Sequence, residues 1–159
     1  MPTNAYHFVT VWLLDDTTCE EVSDVLSQAE ELPRWWPSVY LSVKVTENGD
    51  ARGIGKRVEL HTKGWLPYTL RWSFVITENR KPNGFALEAT GDFVGRGIWT
   101  LTPYGDGVRV VYDWKISAEK GLLKTFSFLM KPVFSWNHRW AMRQGHESLK
   151  RELARRHSH

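Results

Sequence analysis

Apolar side chains recur at every second position through most of this chain, and at every third or fourth position near its start and its end. Tyr6 to Leu14 sets Tyr6, Phe8, Thr10, Trp12 and Leu14 against His7, Val9, Val11 and Leu13, which predicts a strand with two partly apolar faces. A helix is expected next. Thr17 with Glu20, or Thr18 with Glu21, has capping-box spacing, and Val22, Val25, Leu26 and Ala29 form an i, i+3, i+4, i+7 stripe. Pro33 is expected to stop that helix. Leu32 to Ser38, boxed by prolines, has room only for a turn or one helical turn. Six strands follow in the prediction: Val39–Glu47, Ile54–Lys63, Tyr68–Glu78, Phe85–Thr90, Phe93–Thr102 and Val108–Ala118. The gaps hold Glu-Asn-Gly-Asp50, Gly64-Trp-Leu-Pro67, Pro82-Asn-Gly84 and Pro103-Tyr-Gly-Asp-Gly107, and gaps this short pair successive strands antiparallel.

The alternation assigns faces. Leu70, Trp72, Phe74 and Ile76 share one side, as do Phe85, Leu87 and Ala89, and again Val108, Val110, Tyr112, Trp114 and Ile116. The opposite parity is mostly polar, so one side of the sheet must be covered. The cover comes at the end of the chain. Gly121–Met130 is predicted to be a short helix, and Pro132 suits the first turn of a longer one reaching about Arg156. At 100° per residue, Phe134, His138, Ala141, Met142, Gly145 and Leu149 share a face, Leu153 sits at its edge, and Val133, Trp136 and Trp140 lie opposite. The predicted architecture is α+β: strand, helix, short helix, six strands, long helix. A curved antiparallel sheet of about seven strands wraps around the C-terminal helix, and residues 1–159 read as one domain.

Composition changes this picture in one respect: nine of the 159 residues are tryptophan. Indole is bulky, is seldom fully buried, and carries an N–H that needs a partner. Rings such as Trp72, Trp99 and Trp114, projected from one side of a sheet, either pack as core or line a hollow for an apolar guest. The net charge of +3 is unevenly placed. Residues 131–159 hold seven Lys or Arg against two acids, leaving 14 basic and 16 acidic residues elsewhere. Cations near a helix C-terminus complement its dipole, which accounts for Lys150, Arg151, Arg155 and Arg156. No wide basic face or reading motif points to nucleic acid. Cys19 is the one cysteine, which fits a reducing, cytoplasmic setting, and no leader-like segment or apolar run of about 20 residues is present.

Three segments carry a family resemblance: ELPRWWPSV (Glu31–Val39), GDFVGRGIWTL (Gly91–Leu101) and GVRVVYDWKI (Gly107–Ile116). The first is similar to the L-P-x-W-W-P element after the first helix of the SRPBCC superfamily, and the other two resemble its late strands. That superfamily includes START lipid-transfer domains, birch-pollen-allergen-like proteins and polyketide cyclase/dehydrase-like proteins. The resemblance covers nearly the whole chain. It implies a helix-grip fold with a cavity between sheet and long helix, suited to lipids, polyketides or aromatic hydrophobes.

The candidate ligand-binding residues are Trp35, Trp36, Tyr68, Leu70, Trp72, Phe74, Phe85, Leu87, Phe93, Trp99, Tyr112, Trp114, Phe134, His138 and Met142. Of Trp35 and Trp36, one is expected to plug the core and the other to border an opening, with Trp65 and Tyr68 on the facing rim. His138, in the middle of the sheet-facing stripe, must meet a side chain, a water or a ligand, because a buried imidazole without a partner is costly. Tyr112 is its candidate phenolic partner. Asp113 and Glu88 fall on the outward parity, and Asp92 suits a turn cap. No nucleophile–histidine–acid arrangement, zinc-ligand spacing or dinucleotide fingerprint is present, and no cofactor or metal is expected. Three readings remain open: a carrier or sensor for a hydrophobic small molecule; a polyketide cyclase, aromatase or dehydratase-like enzyme using His138 and Tyr112; and a membrane- or protein-interaction module using Trp136 and Trp140. Either a monomer or a homodimer is compatible with all three.

Overall fold

The structure, a computed structural model, describes residues 4–65, 68–121 and 127–158. Its strands are β1 (Ala5–Leu14), β2 (Tyr40–Glu47), β3 (Arg57–Lys63), β4 (Thr69–Asn79), β5 (Gly84–Gly91), β6 (Phe93–Tyr104) and β7 (Gly107–Ala118). All pair antiparallel in the order β1-β7-β6-β5-β4-β3-β2, so β1 and β2 are the two edges. Helices α1 (Cys19–Leu26) and α2 (Leu32–Trp35) connect β1 to β2, and α3 (Ser127–His157) closes the chain. This is the helix-grip arrangement, α+β, with a sheet curved around a helix about 46 Å long.

Local chemistry explains the elements. Thr18, not Thr17, caps α1: its hydroxyl accepts from the Glu21 N–H while the Glu21 carboxylate accepts from the Thr18 N–H. Pro33 does not stop that helix. α1 ends at Leu26, a 3₁₀ turn spans Ala29–Glu31, and Pro33 lies in the first turn of α2, where its missing N–H costs nothing. β3 begins three residues later than the alternation suggests. The Asp50 carboxylate accepts from the N–H groups of Arg52 (2.8 Å) and Ile54 (3.0 Å) and holds that stretch as a turn. Pro132 does not begin the last helix either: α3 starts at Ser127 and runs through it. So close to a helix start the proline removes one backbone hydrogen bond and leaves the rest of the ladder intact. Residues 122–126 of the expected short helix Gly121–Met130 lie outside the described residues.

Strand register places the rings. Phe85 opposes Trp99, Trp99 opposes Tyr112 and Phe8 opposes Trp114, so these side chains share the concave face. Gly97 is glycine because the Tyr112 and Trp114 rings lie where its Cβ would be. Gly145 of α3 leaves room in the same way for the Trp36 indole. Phe134, Met142, Leu149 and Leu153 of α3 are buried against this face, as the helical stripe predicts. The second apolar parity of β1 stays outside: Val9, Val11 and Leu13 are exposed.

Among the described residues, one charged side chain sits in the core. The Glu152 side chain is 3% exposed and accepts hydrogen bonds from Arg34 of α2 (3.0 and 2.8 Å), Arg155 (3.1 and 2.9 Å) and Arg156 (2.9 Å). These guanidinium groups hold its carboxyl well below the usual carboxylate range. Arg155 and Arg156 therefore do more than complement the helix dipole. They join α2 to the end of α3 through a shared carboxylate.

Candidate functional site: the cavity under the first half of α3

Between the concave face and the first half of α3 lies a cavity of about 80 Å³. The sheet contributes Thr62, Lys63, Leu70, Trp72, Phe93, Tyr112 and Trp114, with Gly64 just after β3; the α2–β2 segment contributes Trp36, Val39 and Tyr40; α3 contributes Phe134, Asn137, His138, Ala141 and Met142. Nine of the sequence-predicted site residues thus meet around it: Trp36, Leu70, Trp72, Phe93, Tyr112, Trp114, Phe134, His138 and Met142. The other six, Trp35, Tyr68, Phe74, Phe85, Leu87 and Trp99, stand outside its wall.

Ring packing explains both the location and the small size. Trp99 stacks on Tyr112 with centroids 4.0 Å apart and planes 14° apart, and Phe85 stacks on Trp99 at 6.0 Å. Trp12 meets both Trp36 (5.9 Å) and Trp99 (5.6 Å). This end of the concave face is solid aromatic core. Toward the first half of α3, Trp72 meets Trp114 and Phe93 at 5.5 Å each and Phe93 meets Phe134 at 5.9 Å, and these four rings form part of the cavity wall.

Trp35 and Trp36 correct one expectation. Both indoles are buried, stacked on each other at 5.6 Å. α2 is a single turn whose C-cap, Trp36, leaves helical geometry (φ −129°, ψ 55°), so the two side chains turn to the same side. Trp65 and Tyr68 also part company. Trp65 is exposed and meets Trp136 edge to face at 4.8 Å, while the Tyr68 hydroxyl is enclosed and burial pushes its pKa up to about 12. Leu66 and Pro67 lie outside the described residues.

Among the described residues, two that line the cavity carry an enclosed polar atom with no hydrogen-bond partner: Trp36 at Nε1 and His138 at Nε2. His138 stacks on Phe8 at 4.1 Å and 15°, and burial, helped by Arg139, pulls its pKa down to about 4. Its imidazole is therefore neutral near pH 7. Tyr112 is not its hydrogen-bond partner. The phenol is held between Trp99 and Trp114, and burial raises its pKa well above the ordinary value. Burial raises Tyr40 likewise, beside the Trp36 ring at 5.0 Å.

Several wall residues had no signal in the alternation. Tyr40 and Val39 enter because the chain turns inward after α2, and Thr62 because its hydroxyl accepts from the Trp72 indole N–H at 3.1 Å. Asn137 sits at the mouth, where its Oδ1 accepts from the Trp65 backbone N–H at 2.6 Å and its side chain presses on Gly64. The outward carboxylates behave differently from one another. Glu88 is exposed, Asp92 accepts from the Arg71 N–H at 2.8 Å as a turn cap, and Asp113 bridges His7 (2.7 Å) and Arg96 (3.0 Å) on the convex face.

A curved antiparallel sheet gripping a long C-terminal helix over an aromatic cavity defines the helix-grip, SRPBCC class. The chain belongs to the family described as "Polyketide cyclase / dehydrase and lipid transport", whose model matches residues 14–154. Solved structures agree on the fold. The ZhuI aromatase/cyclase from Streptomyces sp. R1128 superposes with a TM-score of 0.69 at 14% identity, over 96% of this chain and 95% of that one. TTHA0849 from Thermus thermophilus gives 0.65 at 17% identity, over 91% and 96%. The structure of Ara h 8.0201 gives 0.59 at 11%, over 94% and 98%. No curated protein sequence matches the chain.

Proposed function

We propose that this protein, read as one domain over residues 1–159, binds a hydrophobic small molecule between sheet and α3 and acts as its carrier or sensor. The observation that carries this reading is an apolar, ring-rich cavity whose lining residues Trp36 and His138 each hold an enclosed polar atom, Nε1 and Nε2, without a hydrogen-bond partner among the described residues. Leaving a buried donor or acceptor unmet costs about 1–3 kcal/mol. A guest that meets both recovers that cost, so the fitting guest has a flat apolar body and one hydrogen-bonding end. At about 25 cal/mol per Å², hiding roughly 300 Å² of apolar surface adds about 7 kcal/mol before ordering losses. At about 80 Å³ the cavity is smaller than the roughly 150 Å³ that admits benzene. A guest of one or more rings therefore enters by displacing the mouth, where the Lys63–Trp65 strap is tied to α3 through Asn137. The lone, buried Cys19 suits a reducing cytoplasmic setting.

The test is a tryptophan-fluorescence titration with naphthalene and 1-naphthol, two guests of equal body that differ by one hydroxyl. Tighter binding of 1-naphthol, lost in His138→Phe, supports the reading; equal binding of the two, or none, refutes it. The second reading, an aromatase/cyclase-like enzyme, draws on the same histidine facing the cavity. A base with a pKa of about 4 and a phenol raised far above 10 are both poorly matched to proton transfer near pH 7, which favours the carrier.

A further inference from the structure

The rim of the cavity carries an apolar surface that is exposed among the described residues. Trp65 is 61% exposed, Trp136 39% and Val133 38%, and the two indoles meet at 4.8 Å. The Asn137–Trp65 hydrogen bond fixes this pair beside Lys63, Gly64 and Asn137, which line the mouth. Along the chain, residues 60–70 carry Lys63, and residues 127–146 carry Lys131, Arg139 and Arg143, with no acid in either stretch. At 100° per residue, Arg139 and Arg143 project within about 60° of Trp136, on the exposed side of α3. Lys63, Arg139 and Arg143 form no ion pair among the described residues.

We propose that this rim docks on an anionic membrane surface. Trp65 and Trp136 enter the headgroup layer, Arg139 and Arg143 meet lipid phosphates, and the cavity mouth faces the bilayer. Indole rings favour the boundary between apolar and wet layers, and exposed cations beside them add attraction to anionic lipid. A second copy of the chain fits less well, because it would bring two like-charged rims together. No described helix is long and apolar enough to cross a membrane, so the contact is peripheral.

The test is cosedimentation of the whole, guest-free protein with vesicles of phosphatidylcholine alone and of an equimolar mixture with phosphatidylglycerol. Its result is independent of whether a guest binds the cavity. The expected result is pelleting with the mixed vesicles, about tenfold weaker with phosphatidylcholine alone, and lost in both Trp65→Ser/Trp136→Ser and Arg139→Glu/Arg143→Glu. The arginine pair alters only exposed side chains, so it keeps the test decisive even where the tryptophan pair lowers the melting temperature. Absence of pelleting with mixed vesicles, or equal pelleting of wild type and the arginine variant, overturns the proposal. So does concentration-dependent self-association that the tryptophan variant abolishes, which would give the rim to a second copy.

Discussion

The two halves of α3 solve the burial of polar groups in opposite ways. In the second half, Glu152 is taken into the core with its carboxylate surrounded by three guanidinium groups, on the same stretch of helix as the buried Leu149 and Leu153. In the first half, His138 is enclosed with its Nε2 unmet, next to a gap between rings. A satisfied charge fixes the helix to α2, whereas an unsatisfied imidazole leaves a vacancy for a chemical complement. One half is an anchor and the other a receptor, on a single continuous helix.

The largest effect expected from breaking that contrast is at the anchor. Glu152→Ala leaves Arg34, Arg155 and Arg156 without their shared carboxylate; because these guanidinium groups reach water, the expected cost is about 3 kcal/mol, the low end for breaking a buried ion pair. Urea denaturation measures it; a loss below about 1 kcal/mol would mean the network is only a surface ion pair.

Next in size is the pH response of the receptor half. His138 titrates near 4 in the native protein against 6.5 ordinarily, so between those values the unfolded chain holds the extra proton. Stability is full above pH 6.5 and falls as the pH drops toward 4, by about 3 kcal/mol from this group. His138→Gln should flatten that part of the curve. Glu152, with its depressed native pKa, adds a separate loss below the ordinary carboxylate range, which the His138 variant should retain. Unfolding free energies of both proteins at pH 7, 5.5, 4 and 3 check this.

The same asymmetry predicts opposite signs for polar-to-apolar replacement. His138→Phe keeps a ring stacked on Phe8 and removes the unmet nitrogen, so it should raise stability by about 1–3 kcal/mol while abolishing the preference for a hydroxylated guest. No gain in melting temperature would indicate that the imidazole is already satisfied in solution.

How much of this could be read from residues alone follows the same division. Strand alternation placed Trp72, Trp99, Tyr112 and Trp114 on the concave face, and the helical stripe placed Phe134, His138, Met142 and Leu149 opposite them, because both periods are set by backbone geometry. Parity says which way a ring points, not what it meets. It could not separate Trp99, locked between Phe85 and Tyr112, from Trp114 at the edge of the gap. Glu152 was hidden by its charge: it lies on the inward stripe, yet carboxylates there are rare without partners, and Arg34 is distant in sequence. Pro33 and Pro132 misled because a proline marks a boundary only through its position in a turn, which sequence does not supply. Trp136 was legible as lying off the stripe, but not its pairing with Trp65, which depends on where the β3–β4 connection folds.

The smallest expected effect concerns the mouth. Asn137 joins the two regimes: its Oδ1 accepts from the Trp65 N–H, holding the strap over the cavity beside a histidine that needs a guest. Replacing Asn137 with Ala removes that hydrogen bond and should cost about 1 kcal/mol of stability. Its larger consequence is kinetic. With the strap untied, 1-naphthol should enter and leave faster, with little change in equilibrium affinity, because the wall that contacts the guest is otherwise intact. Stopped-flow tryptophan quenching separates the outcomes: higher on- and off-rates at constant ratio identify the strap as the gate, whereas unchanged rates would move the route to another side of the cavity.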